Sequence, residues 1–264
     1  MHIPIIIASA LFLFATTTAN AKVVGEEITY KDGGTNLKGY IAYDDAIKGK
    51  RPGILVVHEW WGNNDYSRRR ADMLASLGYT ALALDMYGEG KTADNPTDAS
   101  KLSGMISSDI PLMKSRFDAA LKTLNSHPTV DPKNNGAIGY CFGGGVVLSM
   151  AREGVDLKGA VSFHGNLVSK AIAHKGGIKP RLLVANGAAD KFVPADQIAN
   201  FKSEMKHAGA DLTFIDYPGA LHAFTNPAAT ANGKKFNIPI AYNEAADKKS
   251  WEDMKKFFAE VFRK

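Results

Sequence analysis

The chain has 264 residues, 45% of them hydrophobic and 22% charged, an ordinary globular composition with length for one large core or two small ones. Its formal charge of +5 is modest, and Arg68 to Arg70 is the only dense basic cluster, with no run of basic residues interleaved with aromatics. That pattern argues against a nucleic-acid partner, and a single cysteine, Cys141, rules out a disulfide within the chain.

Residues 1–21 contain no Lys, Arg, Asp or Glu. An apolar stretch from Ile3 to Phe14 leads into TTTANA, and Ala19-Asn20-Ala21 fits the small-x-small rule for cleavage before Lys22. The stretch is short of the ~20 residues a spanning helix needs. The pattern predicts an export signal that is removed. The mature chain, residues 22–264, is then exported, to the periplasm in a diderm source, without a membrane partner.

After Lys22 a regular rhythm sets in. KGYIAY (Lys38 to Tyr43) reads as a strand, and GILVVH (Gly53 to His58) as a strand buried on both faces. Asn63 to Leu77 has helical spacing and stops at Gly78. TALALD (Thr80 to Asp85) is a further buried strand. Asp98 to Asn125 is helix-rich and broken before Pro111. A strand (Asn135 to Tyr140) then runs into a helix (Phe142 to Glu153), followed by strands at Gly159 to Phe163 and Arg181 to Asn186. A helix at Ala195 to Ala208, a strand at Leu212 to Tyr217 and a closing amphipathic helix at Ser250 to Phe262 complete the order. Strands alternating with helices predict a single α/β domain, a mostly parallel sheet with helices on both faces. GEGKT (Gly88 to Thr92) is the loop after TALALD and not a phosphate-binding loop, because Asp85 stands where the first glycine of that motif belongs.

Gly139-Tyr140-Cys141-Phe142-Gly143 falls between a predicted strand and a predicted helix. It matches the strand–turn–helix nucleophile elbow, with Cys in place of Ser. Such a turn is sharp, and the flanking glycines leave room where the elements crowd. The helix N-terminus behind the sulfur favours a thiolate, and the Phe142 N–H becomes one oxyanion donor. The elbow needs an acid and then a histidine, in that chain order. Asp190 follows RLLVANG and His222 follows LTFIDYPG, each just past the carboxyl end of a predicted strand. His222 is the candidate base, and Asp190 the group that orients it. Asp196 lies inside a helix and Asp216 inside a strand, which makes them structural or solvated. His164 ends GAVSFH and either lines the same mouth or fills a hydrogen-bonding role. The second oxyanion donor is expected after GILVVH, where Trp60 N–H is the candidate. Glu59 beside it is unusual, since a carboxylate repels a thiolate; the plain alternative is a solvated rim charge.

Taken in order, HEWWG, LDMYG, GYCFGG, GAADKFVP and the LHAF segment resemble the dienelactone hydrolase family of α/β hydrolases, over nearly all of residues 22–264. The resemblance implies a Cys141-His222-Asp190 triad. It also implies a working Glu59, whose family equivalent contacts the resting cysteine and moves when substrate arrives. A neutral resting thiol suits an oxidising compartment, because it oxidises less readily than a thiolate. Family members that open dienelactone hold its carboxylate with two arginines. Here those places carry Gly88-Glu89 and Asn226, and a bidentate clamp needs arginine geometry. Nothing in the sequence shows that Arg68, Arg69 or Lys91 points inward. Trp61, Tyr87 and Asn226 join His164 as candidate pocket-lining residues. The segment Phe224 to Asp247 is either a wall of the pocket or a surface excursion.

The expected activity is hydrolysis of small esters or lactones through a thioester on Cys141, a chemistry that calls for no metal and no organic cofactor. Two other readings stand beside it. One is a non-catalytic small-molecule binding protein on the same fold, against which a complete triad argues. The other is a thiol-based redox protein, against which the lack of a resolving cysteine argues. The sequence leaves the substrate and the oligomeric state open, with a monomer as the default.

Overall fold

The computed structural model describes residues 23–263, so the export-signal expectation for residues 1–21 lies outside the described residues. Eight strands form one sheet in the order β1-β2-β4-β3-β5-β6-β7-β8. The hairpin β1 (Val23–Asp32) and β2 (Thr35–Asp44) is antiparallel, and β2 is antiparallel to β4 (Thr80–Leu84). From β4 onward every pairing is parallel: β3 (Arg51–Val57), β5 (Val130–Tyr140), β6 (Gly159–Phe163), β7 (Arg181–Gly187) and β8 (Leu212–Tyr217).

Strands β3, β4 and β6 are apolar along most of their length because helices cover both faces. Successive residues of one strand enter different cores. Leu55 and Val57 join Phe117 of α3 (Ile110–Ser126), Val146 of α4 (Phe142–Arg152) and Met205 of α5 (Ala195–Ala208). Ile54 and Val56 join Leu74 of α1 (Asp65–Ala75) and Met254 and Phe258 of α7 (Glu244–Val261). The break expected before Pro111 separates α2 (Pro96–Ser107) from α3. Asn95 caps the first and Asp109 the second, each accepting a backbone N–H two or three residues into the helix.

Three elements depart from the sequence reading. In β1, VVGEEITYKD buries only Tyr30, so it carries little apolar signal; it exists through a continuous ladder to β2. Helix α6 (Ala229–Phe236) sits within the segment Phe224 to Asp247, and α7 begins at Glu244 rather than Ser250, capped by Asn243. Parallel strands point their carboxyl ends the same way. The residues that follow β3, β5, β6, β7 and β8 therefore meet along one edge of the sheet.

Candidate active site

Cys141 sits between β5 and α4 at φ 54 and ψ −117, a left-handed backbone that only a tight turn imposes on a non-glycine residue. The turn brings α4 so close to the sheet that side chains are excluded. A Cβ on Gly143 would stand 2.3 Å from the Val57 carbonyl oxygen, and one on Gly139 would stand 2.1 Å from the Gly143 carbonyl oxygen. Both contacts are to backbone, which cannot swing aside, so glycine at these two places is a steric requirement. No side chain caps α4, so the N–H groups of its first turn, that of Phe142 among them, have no intrahelical acceptor.

His222 follows β8 and is held by Ile240, with which it forms an isolated parallel bridge. Its Nε2 lies 3.1 Å from Cys141 Sγ, and its Nδ1 lies 2.7 Å from Asp190 Oδ2. Asp190 is buried after β7, and its other oxygen accepts the Phe192 N–H at 2.8 Å. Burial works against a charged imidazole, but the Cys141 sulfur and the Asp190 carboxylate overrule it and lift His222 to about 10. The ring is gripped edge-on by Phe192 and His164, with centroids 5.1 and 5.4 Å away. The three side chains thus form a continuous sulfur–imidazole–carboxylate line.

His164 does not line the mouth; it is fully buried behind the elbow. Its Nδ1 accepts the Cys141 N–H at 3.1 Å, which makes Nε2 the protonated nitrogen, donating to Thr225 Oγ1 at 2.7 Å. Burial, with the charges of His222 and Arg70, holds it well below the ordinary histidine range, hence neutral. Thr225 Oγ1 meets the Tyr66 hydroxyl at 2.6 Å, and Arg70 donates to the Tyr66 hydroxyl (3.3 Å), the Thr225 carbonyl (2.7 Å) and Asp247 (2.5 Å). A buried chain of polar groups therefore ties the elbow to α1 and α7. Tyr66 and Thr225 carry no motif, and Arg70 stands out in the sequence only as the last of three consecutive arginines. What links them is spatial: Thr225 is 159 residues from Tyr66.

Glu59 is not a rim charge. It is 3% exposed, and its Oε2 accepts the Asn226 amide at 2.6 Å while Oε1 has no partner. Burial pushes its carboxyl up to about 7, against the lowering effect of Asn226, His222 and Arg70. The contact with the resting cysteine implied by the family resemblance is absent from this arrangement. Cys141 faces His222, and Glu59 faces Asn226. Asn226 itself is buried against Glu59 and does not line the cavity around Cys141. Tyr87 is likewise buried and off that cavity; its hydroxyl donates to the Trp60 carbonyl at 2.9 Å, bracing the loop after β3. His58 braces the same loop, accepting the Met86 N–H at Nε2 (3.2 Å) and donating from Nδ1 to the Glu59 carbonyl (2.6 Å). Position 89 turns away altogether, since Glu89 Oε1 accepts the Asn36 N–H of β2 at 3.0 Å.

The cavity over Cys141 has a volume of about 360 Å³. Glu59, Trp60, Trp61, Phe142 and His222 line it, and Ile238 and Ile240 wall one side, so the segment after Phe224 is part of the pocket. Val168 and Phe192 form an apolar rim, 59% and 49% exposed. Arg68, Arg69 and Lys91 are not in its walls, and Arg68 pairs with Glu27 at 2.6 Å. Among the described residues, no group of three or more His, Cys, Asp and Glu is placed to hold a metal ion. No described helix is long and apolar enough to cross a membrane.

Comparison with known proteins converges on one family. The dienelactone hydrolase family profile matches residues 37–262. Protein usf of Aquifex pyrophilus is 32% identical over 209 residues, covering 77% of this chain and 88% of that protein. Among solved structures, m3DLH superposes with a TM-score of 0.85 at 36% identity, over 91% of this chain and 99% of its own. The dienelactone hydrolase-like promiscuous phosphotriesterase P91, from metagenomic libraries, gives a TM-score of 0.85 at 32% identity, over 92% and 100%.

Proposed function

The chain belongs to the dienelactone hydrolase family, and from that premise we propose that it hydrolyses small esters or lactones with Cys141 as nucleophile. The observation that carries this reading is the line of contacts from Cys141 Sγ through His222 to Asp190, at 3.1 and 2.7 Å, on the floor of a cavity.

The Cys141 sulfur, as thiolate, attacks the substrate carbonyl carbon. The carbonyl π electrons move to oxygen, and the Phe142 and Trp60 N–H groups receive the oxyanion. When the tetrahedral adduct collapses, the C–O bond to the leaving group breaks, and His222 Nε2–H gives that oxygen its proton. A thioester remains, and in a lactone the alcohol stays tethered to it. Neutral His222 then takes a proton from water as the water attacks the thioester, and the carboxylic acid leaves as Cys141 regains its starting form. Asp190 holds Nδ1–H throughout, which fixes the tautomer and steadies the imidazolium.

The test is hydrolysis of 4-nitrophenyl acetate by the parent and by Cys141→Ala, with mass spectrometry for an acetyl group on Cys141. Turnover that vanishes in the variant, with transient acylation of the parent, supports the reading; equal turnover in both sinks it. The phosphotriesterase activity for which P91 is named makes a neutral phosphotriester a second substrate to assay, because the same sulfur and oxyanion donors suit attack at phosphorus. We further propose that residues 1–21 are removed on export. The intact mass of protein recovered from the periplasm of an expressing host checks this, and a mass retaining Met1 to Ala21 refutes it.

A further inference from the structure

Resting on the reading of Cys141 as the exposed nucleophile, we propose that the cavity admits uncharged substrates and turns away anionic ones, with the Glu59 carboxylate as the charge filter and Asn226 as the residue that holds it in place.

Five observations carry this. No lysine or arginine lines the cavity among the described residues, so an anionic substrate group meets no fixed positive side chain. The one formal positive charge in the walls, on His222, is already held between Cys141 Sγ and the Asp190 carboxylate. Glu59 is buried, lies in the cavity wall, and keeps Oε1 without a hydrogen-bond partner. Asn226 supplies an amide donor to Oε2 but no charge, so the carboxylate is positioned and left un-neutralised. Most of the remaining lining surface is apolar, with Trp60, Trp61, Phe142, Ile238, Ile240 and the exposed rim, and its polar members, Ser103, Ser107, Ser149, Asn166 and Ser169, carry no formal charge. In such surroundings a second negative charge finds little solvent to screen it. An uncharged acyl or alkyl group meets largely apolar walls and no like charge.

The charged and titratable groups around Glu59 come from several elements. They are Arg70 and Tyr66 on α1, Tyr140 on β5 and His222 after β8. Arg70 is committed to Asp247, at 2.5 Å, and the phenols are neutral at working pH. Glu59, lifted to about 7, is then the group that changes charge across the neutral range, so the filter strengthens as pH rises through that value.

Alkylation of the only cysteine reads this without turnover. Iodoacetamide and iodoacetate are nearly the same size and differ by one negative charge. Their rate ratio cancels any change in the sulfur's own reactivity. With N-acetylcysteine as the free-thiol reference, the parent at pH 8.5 is expected to prefer iodoacetamide by about tenfold more than the reference does. The excess preference is expected to shrink toward pH 5.5. Glu59→Gln is expected to bring the ratio to within about twofold of the free thiol, and Asn226→Arg to reverse the excess. A parent ratio equal to that of the free thiol, or a ratio unmoved by both pH and Glu59→Gln, overturns the proposal. If Glu59→Gln does not fold, the parent's pH series decides. The filter and the hydrolase reading fail separately. A selective thiol with no ester turnover refutes only the latter, and an esterase with an unselective thiol refutes only the former.

Discussion

The elbow around Cys141 and the segment from His222 to Asn243 both serve the same few ångströms of space, yet they are built by opposite means. The elbow is local: a strand, a turn and a helix within Val130 to Arg152, with glycines placed where backbone contacts of 2.1 and 2.3 Å exclude a Cβ. The segment is held from a distance. His222 bridges Ile240, Thr225 reaches Tyr66 and His164, and Asn226 reaches Glu59 across 167 residues. The first region sets where Cys141 stands. The second sets which imidazole faces it and what charge lies beside it. A site split this way keeps Cys141 fixed by sterics, while His222, Asn226 and Glu59 answer to the packing of α1, α6 and α7.

Breaking the local region should produce the largest effects. Cys141→Ala keeps a Cβ where one already fits, so thermal unfolding should stay within a degree or two while ester turnover falls by about 10⁴ or more. Gly143→Ala forces a Cβ into the Val57 and His58 carbonyls. It should cost about 4 kcal/mol or leave insoluble protein, read by urea denaturation of whatever is recovered. A Gly143→Ala protein as stable as the parent would show that the turn relaxes.

Next comes the joint between the regions. Asp190→Asn removes the carboxylate that helps keep His222 near 10. Turnover should drop by about 10³, and alkylation of Cys141 should slow in step. Unchanged alkylation would mean that the imidazole orients without Asp190.

A smaller effect lies in the distant region. Glu59 is raised from an ordinary 4.5 to about 7 in the fold, so the folded state binds its proton more tightly than the unfolded chain. Stability contributed by that proton is complete below 4.5 and is lost as pH rises through about 7. Glu59→Gln escapes the loss. Its advantage in unfolding free energy should be near zero at pH 4 and grow to at most ~3 kcal/mol by pH 8. An advantage independent of pH would place the effect in packing instead.

The smallest effect sharpens the contrast. Thr225→Val keeps shape but removes the acceptor of His164 Nε2–H and one of the two partners of the Tyr66 hydroxyl. It should cost about 1–3 kcal/mol and lower kcat several-fold with KM little changed. A loss of stability without any change in kcat would confine the Thr225 network to holding the fold.

The amino-acid sequence by itself determined the layer order, the parallel core of the sheet and the identity of the elbow, because each is written in short-range pattern. Apolar strand runs, helical spacing and two glycines around one cysteine act over a dozen residues or fewer. It also placed Asp190 and His222, since each follows a strand whose end the fold rule locates. It did not reach β1, whose polar faces carry no periodic signal, or α6, hidden in a stretch without a hydrophobic stripe. Tertiary structure decided the rest. It buried His164 and Tyr87 behind the elbow rather than in the pocket. It turned position 89 toward β2, made residues 238–240 a cavity wall, and paired Asn226 with Glu59. The physical reason is that burial and hydrogen-bond partnership belong to packing between segments far apart in the chain. A carboxylate such as Glu59 reads the same in sequence whether water or an apolar wall surrounds it, and only the wall shifts its charge.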